Sequence, residues 1–463
     1  MSPSVLFACV FALLANDAML SQEALTTAAK LRDEALKGNG AYEIVESLTT
    51  EVGPRRAGTP ADRAAVAWGV AKLNELGFDK VWTDPVTFPF WIRGEESCEV
   101  VSPFPQPLHI TALGNSVGTP DEGIQAEVVL VPDFEALASM DQTKVDGKIV
   151  FINNRMERTR TGQGYGVAVI ARRSGASASA KLGAVAVLIR SIGTDSHRFP
   201  HTGVMRYQDA IAKIPAAALS NPDANLLERM IGRGKPVTVK LTLSSRSGGT
   251  KVTHNVIGEI KGSSRPDEVV LLGAHLDSWD LGTGALDDGA GVGIVTEAAR
   301  LIGTLPRRPA RTIRVVLFGN EEEGLYGARA YAEKYGDAVG KHIIGAESDF
   351  GADKIWSFMP NVDENALPIM RQIHSVLEPL GVEMGPNTGW GGPDMGPMRQ
   401  LGMPVATLFQ DGTDYFDYHH TADDTLDKID PANMRQNVAA YVAFAYLCAE
   451  SPVMFRDLER AMD

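Results

Sequence analysis

The chain has 463 residues, 44% of them hydrophobic, and carries 58 acidic side chains against 44 Lys and Arg for a net charge of −14. That length gives room for about two or three domains and a large buried core. The acidic balance excludes nucleic acid as a natural partner, and no stretch has the length and apolarity of a membrane span.

Residues 5–15 (VLFACVFALLA) are apolar, with the length of a signal-peptide core and small residues at Ala15 and Ala18. The preceding residues lack Lys and Arg, so the alternative is a buried N-terminal helix. Residues 1–21 are expected to be a signal peptide, cleaved from a secreted or periplasmic protein that has no membrane insertion afterwards. Of the three cysteines, Cys9 lies in this segment. Cys98 and Cys448 have neither a disulfide-framework nor a zinc-finger spacing and are expected as buried small hydrophobes.

The spacing predicts an amphipathic helix over 23–37, stopped by Gly38 and Gly40. A second helix over 62–76 puts Val66, Val70 and Leu73 on one face and ends at Gly77. A strand is expected over 81–90. Between 122 and 243 the pattern changes: short β runs (126–131, 148–152, 185–189) alternate with small-residue helical stretches such as 172–182. His197 and His201 stand alone in loops there, and no catalytic constellation appears. This reads as an inserted domain, residues 122–250, interrupting a larger one made of residues 22–121 and 251–463.

The chemistry-bearing residues collect after that interruption. The apolar run 269–273 (VVLLG) reads as a buried strand leading to His275 and Asp277, then a glycine-broken loop, Asp287, Asp288 and a helix over 290–302. A second buried strand, 311–318, runs into Glu321, Glu322 and Glu323. The segment 343–349 is a third, ending at Asp349, and 404–409 a fourth, ahead of Asp417, His419 and His420. Pro431 opens the closing helix. In open α/β sheets ligands and chemistry gather at the carboxyl ends of strands. Each residue has an ordinary explanation, since acids favour helix starts and a His beside an acid is commonly just hydrogen-bonded. Together His275, Asp287, Glu321 with Glu322, Asp349, and His419 or His420 offer two imidazoles and three carboxylates, with one carboxylate to spare. Mixed imidazole and carboxylate donors suit zinc better than magnesium or calcium, and the lack of cysteine disfavours a structural site. The set exceeds what one ion needs and suffices for two if a carboxylate bridges.

The motifs GAHLDSW, ALDDGAG, NEEEGLYGA, ESDFG and HHTADDT, in that order, resemble the co-catalytic zinc exopeptidases, the superfamily of leucyl aminopeptidases and glutamate carboxypeptidase II. KVDGKIV, KLGAVAVLIRS, PHTG with RYQD, and HLDSWDLGTGALDDG extend the resemblance to its carboxypeptidase Q branch over nearly the whole chain after residue 21. The resemblance implies an α/β fold: a doubly wound mixed sheet with helices on both faces, plus an inserted protease-associated-like β/α domain. It implies two zinc ions held by His275, Asp287, Glu322, Asp349 and His420, with Asp287 bridging and its bond to Asp288 cis. Glu321 is then the general base and Asp277 the residue behind His275. It further implies hydrolysis of dipeptides or short peptides, a homodimer, and the loop 200–209 as a cover for the cleft. Arg190 and Arg206 are candidates for the substrate carboxylate and Asp394 for a supporting role, although Pro393 departs from the pattern of relatives. An aminopeptidase of the same superfamily is the competing activity. A non-catalytic receptor-like module of this architecture is disfavoured, because all six ligand and base positions are filled.

Overall fold

The apolar run ahead of His275 forms the middle of an eight-stranded mixed sheet in the computed structural model, which describes residues 19–456. Cys9 and residues 1–18 of the expected signal segment lie outside the described residues, whereas Leu20, its last-but-one residue, is buried and Ser21 caps the first helix. In chain order the strands are β1 (Lys80–Ile92), β2 (Arg246–Ile260), β3 (Arg265–His275), β4 (Arg311–Phe318), β5 (His342–Glu347), β6 (Ile355–Asn361), β7 (Glu383–Met384) and β8 (Val405–Gln410). Across the sheet their order is β1-β2-β4-β3-β5-β8-β6-β7. The central strands β4, β3, β5 and β8 are mutually parallel, and the flanking pairs β1–β2, β2–β4 and β8–β6 are antiparallel.

Strands buried on both faces read as unbroken apolar runs, because side chains alternate between two cores. Val270, Leu272 and Ala274 of β3 and Ile313, Val315 and Leu317 of β4 enter one core. Leu271, Val316 and Phe318 enter the other. Against the first core pack α1 (Gln22–Ala35), α2 (Gly40–Glu51), α3 (Pro60–Glu75), α5 (Ala290–Gly303) and α7 (Pro431–Glu450). Against the second packs α6 (Tyr326–Tyr335) with the short helix Gly396–Gln400. Helix α5 is buried almost all round, which suits an element sandwiched between sheet and outer helices. Cys98 and Cys448 are free and buried, as small hydrophobes would be. Among the described residues no helix is long and apolar enough to cross a membrane.

A second eight-stranded sheet has the order Gln106–Leu108, Glu96–Ser102, Thr238–Leu243, Ile124–Val131, Ile149–Ile152, Ala186–Arg190, Ala216–Leu219, Ile110–Ala112. Phe151 and Leu188 face the helix Asn221–Ile231, while Ile152 and Ile189 face α4 (Gln163–Lys181). The sheet therefore begins at Glu96, ahead of the boundary at 122 drawn from the sequence. The boundary at 250 falls inside β2. The reason is local: Glu96 to Leu108 is polar and broken by Pro103, Pro105 and Pro107, and only Cys98, Val100 and Leu108 are buried. Edge strands of that kind carry no apolar run to announce which sheet they join.

Candidate active site

Three strand ends are brought level by the register of the parallel sheet. His275 pairs with Phe318 across β3–β4, and Gly273 with Glu347 across β3–β5. The residues just past those ends, Glu321, Glu322 and Asp349, consequently gather at one edge of the sheet with His275 and border one cavity. His419 and His420 arrive from the loop after β8, behind the short helix Tyr415–Tyr418.

All five expected metal ligands meet there. His275 Nε2 is 3.0 Å from Asp287 Oδ1 and 3.7 Å from Asp349 Oδ1. His420 Nε2 is 3.3 Å from Asp287 Oδ2 and 2.9 Å from Glu322 Oε2. The ligating atoms of His275, Asp287 and Asp349 lie within 4.8 Å of one another, as do those of Asp287, His419 and His420. Asp287 is common to both groups. The Asp287–Asp288 peptide is cis. His419 also approaches Asp287 Oδ2, at 3.6 Å, but its ring is stacked on His420 and edged by Tyr165, Tyr415 and Phe416. His420 alone of the pair reaches Glu322.

The loop that carries these ligands is held from below. Arg55, completely buried, donates to the carbonyls of Leu276, Thr283 and Gly284 at 2.5, 2.6 and 2.9 Å. Asp288 accepts the N–H groups of His275 and Gly291, both at 3.0 Å. A side chain at position 291 would collide with Asp288 and the Ser348 carbonyl, so only glycine fits. Asp424 accepts the N–H groups of Leu286 and Asp287. Asp277 has two roles: its carbonyl accepts His275 Nδ1–H at 3.0 Å, and its carboxylate accepts the Glu321 amide at 3.0 Å.

The charge balance of this cluster is lopsided. Burial raises the carboxyls of Asp288, Glu347 and Asp394 well above the usual range, with like charges from neighbouring acids adding to it. Burial, and then the charge of Asp287, raises Glu322 to about 7. Glu321 faces the cavity, yet burial with Asp349, Asp394 and Glu322 around it also raises it well above the usual range, against the pull of His275. Burial works to raise Asp287 too, but the hydrogen bond from His275 and the close imidazoles of His420 and His419 outweigh it and hold that carboxyl well below the usual range. Among the described residues, Asp287 Oδ2 and Glu322 Oε1 are buried without a hydrogen-bond partner. Buried oxygens left orphaned beside imidazoles, in a surplus of negative charge, fit bound divalent cations. The donor types fit zinc.

The second sheet's unit reaches into the same place. Thr202 N–H donates to the His420 carbonyl at 3.0 Å, and the Thr202 carbonyl accepts His420 Nδ1–H at 3.2 Å. His201 Nδ1–H donates to the His419 carbonyl at 2.7 Å, with Asp195 at its other nitrogen. A cavity of about 320 Å³ lies over the cluster, bordered by Glu321, Asp287 and Asp349 on one side and by Tyr165, Val204 and Arg206 on the other. Arg206 thus reaches the cavity. Arg190 does not: it is buried within the second unit, donating to Asn153 and Asn225, and burial lowers it to about 10. Asp394 lies beneath the cavity, its amide donating to Glu347 Oε2 at 2.7 Å.

Arg55, Glu347, Asp424, His201 and Thr202 are absent from the site as read from the sequence. The paired arginines in the Pro- and Gly-flanked loop at Arg55 and the acid in HHTADDT were the available signals. For Thr202, whose contribution is backbone, there was none.

Comparisons with known proteins show the family. The model of peptidase family M28 matches residues 255–445. Human carboxypeptidase Q is 36% identical over 416 residues, 90% of this chain and 86% of that protein. Carboxypeptidase Q of Xenopus laevis is 37% identical over 90% of this chain and 87% of its own length. The crystal structure of a peptidase M28 precursor from Shewanella amazonensis superposes with a TM-score of 0.92 at 50% identity, over 94% of this chain and 98% of that one. The zinc aminopeptidase BSAP of Bacillus subtilis, 21% identical, shares the fold with a TM-score of 0.64 over 88% of this chain and 94% of its own. A match over most of the length and a common architecture lead to one conclusion: this chain belongs to peptidase family M28, alongside carboxypeptidase Q, and is a metallo-exopeptidase.

Proposed function

We propose that this enzyme is a zinc-dependent dipeptidase that also takes very short peptides, with Glu321 as its general base. His275, Asp287, Asp349, Glu322 and His420 would hold two zinc ions, with Asp287 shared. Zinc ions held there supply the Lewis-acid charge that polarises a peptide carbonyl and acidifies water. Glu321 takes a proton from the attacking water at a carboxylate oxygen and returns it to the leaving amine, so that the bond breaks without expelling an anionic nitrogen. Asp277 fixes the base through its amide, and the Thr202 carbonyl orients His420 from the other unit.

The observation that carries the substrate class is the cavity. At about 320 Å³ it sits near the small end of ligand sites, and the inserted, protease-associated-like unit walls it through Tyr165, Val204 and Arg206. A short substrate with both ends free fits such an enclosure better than a continuous chain. The test compares kcat/KM for a free dipeptide, its N-acetyl form, its C-terminal amide and a longer peptide with the same first residues. Strong loss on blocking either end is expected. Indifference to the amide together with good cleavage of the long peptide would make the enzyme an aminopeptidase.

The apolar segment at residues 5–15 and the carboxypeptidase Q resemblance support a secreted or periplasmic homodimer. Protein recovered from its native compartment with Met1 intact, or sedimenting as a monomer at working concentration, would contradict the respective part.

A further inference from the structure

His420 has a backbone conformation that needs holding. Its φ is +62°, in the left-handed region where the Cβ of an L-residue crowds the following carbonyl. It keeps that conformation with Nε2 directed at Glu322 and Asp287, so the strain sits at a candidate metal ligand. Among the described residues, the carbonyls of His419 and His420 accept hydrogen bonds from the inserted unit alone: from His201 Nδ1 and from the Thr202 N–H.

Those donors are themselves fixed. Asp195 Oδ1 lies 2.7 Å from His201 Nε2 and sets the rotation of the ring. The Asp195 side chain is completely buried, and its carboxylate accepts the His197 N–H at 2.9 Å and Asn221 Nδ2–H at 3.0 Å. The His201 N–H donates to Ser191 Oγ at 2.8 Å. A Cβ at Gly193 would stand 2.3 Å from two atoms of the His201 ring, so only glycine leaves room for it. Thr202 Oγ1 donates to the Ala112 carbonyl of the second sheet at 3.0 Å. Adhesion between the units has other means: Arg160 reaches Asp411 at 2.8 Å, and Thr194 Oγ1 reaches Asp417 at 2.7 Å. What His201 adds is placement of the peptide that carries His420.

We propose that His201, braced by Asp195, is a positioning residue for the metal centre. It clamps the peptide ahead of His420, so that Nε2 is presented to the cation shared with Glu322 and Asp287. The zinc at that position is therefore bound tightly only while the inserted unit is docked. This rests on the reading of His420 as a zinc ligand. Residues that orient a ligand rather than touch the ion are typically worth about 10–100-fold in metal affinity.

The experiment titrates the metal-free enzyme with zinc by calorimetry and follows kcat and KM for a free dipeptide. The wild type should show two binding events, and His420→Ala should lose one of them. His201→Ala should weaken that same event by about 10–100-fold and leave the other unchanged. Its kcat should return toward the wild-type value at high zinc, with KM for the peptide unaltered, because only metal occupancy has changed. Two polar replacements separate the ring nitrogens: Asn places an amide N–H where Nδ1 stands, and Gln places one where Nε2 stands. His201→Asn should accordingly bind zinc more tightly than His201→Gln. Arg160→Ala, which cuts a tie to Asp411 rather than to the His419–His420 peptide, should bind zinc as the wild type does. Wild-type zinc affinity in His201→Ala, equal affinity of the Asn and Gln variants, or equal weakening by Arg160→Ala overturns the clamp. If the melting temperature of metal-free His201→Ala shows that it does not fold, the Asn and Gln pair decides. Two unaltered binding events in His420→Ala overturn the ligand assignment instead.

Discussion

The carboxylate of Asp277 accepts the main-chain N–H of Glu321 at 3.0 Å, tying the end of β3 to the loop after β4. The same residue's carbonyl takes the Nδ1 proton of His275. One aspartate therefore sets both the aim of a proposed zinc ligand and the place of the proposed base. Asp277→Asn keeps an oxygen for the Glu321 amide, and Asp277→Ala does not. Because a misplacement of about 1 Å can cost on the order of 10²-fold in rate, Asp277→Ala should lose clearly more kcat than Asp277→Asn. Equal losses in steady-state kinetics would mean that charge, not this hydrogen bond, is what Asp277 supplies.

Glu321 and Glu322 are adjacent but differ in surroundings: Glu322 reaches His420 at 2.9 Å, and Glu321 borders the cavity. Glu321→Gln should retain zinc and lose turnover by about 10²–10⁴-fold, the usual worth of general acid–base catalysis. Glu322→Gln should instead lower bound zinc. Metal analysis and kcat on the same preparations check this, and exchanged phenotypes would reverse the two assignments.

Asp287 belongs to both groups of ligating atoms, which is the basis for expecting two ions. Chelation should abolish activity, and titration with zinc should restore it fully only near two equivalents. His420→Ala and Asp349→Asn should each lose metal and activity. Full recovery at one equivalent would sink the two-ion arrangement.

His342 offers a pH prediction remote from the zinc ligands. Burial, helped by the charges of Arg314 and Arg456, lowers it to about 4 against the opposing hydrogen bond to Ala338. Tyr331 Oη lies 2.9 Å from its Nε2, an arrangement that suits the neutral ring. The folded pKa is depressed, so between about 6.5 and about 4 the unfolded chain binds a proton that the folded one refuses. Stability should thus fall as pH drops through that window, by about 2 kcal/mol at pH 5 from this group. Asp62, raised to about 6 by burial, works in the opposite direction, so the readout is a difference. His342→Gln should show a smaller fall in melting temperature between pH 7.5 and pH 5 than the wild type. An identical fall would remove His342 from the acid response.

The zinc-ligand candidates were legible because of where they stand on the strands. A parallel sheet covered on both faces demands unbroken apolar runs, so β3, β4, β5 and β8 announce themselves, and the first polar residues beyond them mark the functional edge. That determined the α/β class and picked out His275, Asp287, Glu321, Glu322 and Asp349 as the site candidates. Local pattern could not decide between His419 and His420, which have nearly the same neighbours in sequence; the resemblance favoured His420, and the fold brings only that ring to Glu322. Nor could it separate Arg190 from Arg206, both in the inserted unit, one buried among asparagines and the other open to the cavity. The early start of the second sheet at Glu96, the Arg55 clasp on Leu276 and Gly284, and the Thr202 carbonyl behind His420 all join residues far apart along the chain. Periodicity records how deeply each residue is buried, whereas these contacts depend on which distant surface does the burying, and only the packed tertiary structure decides that.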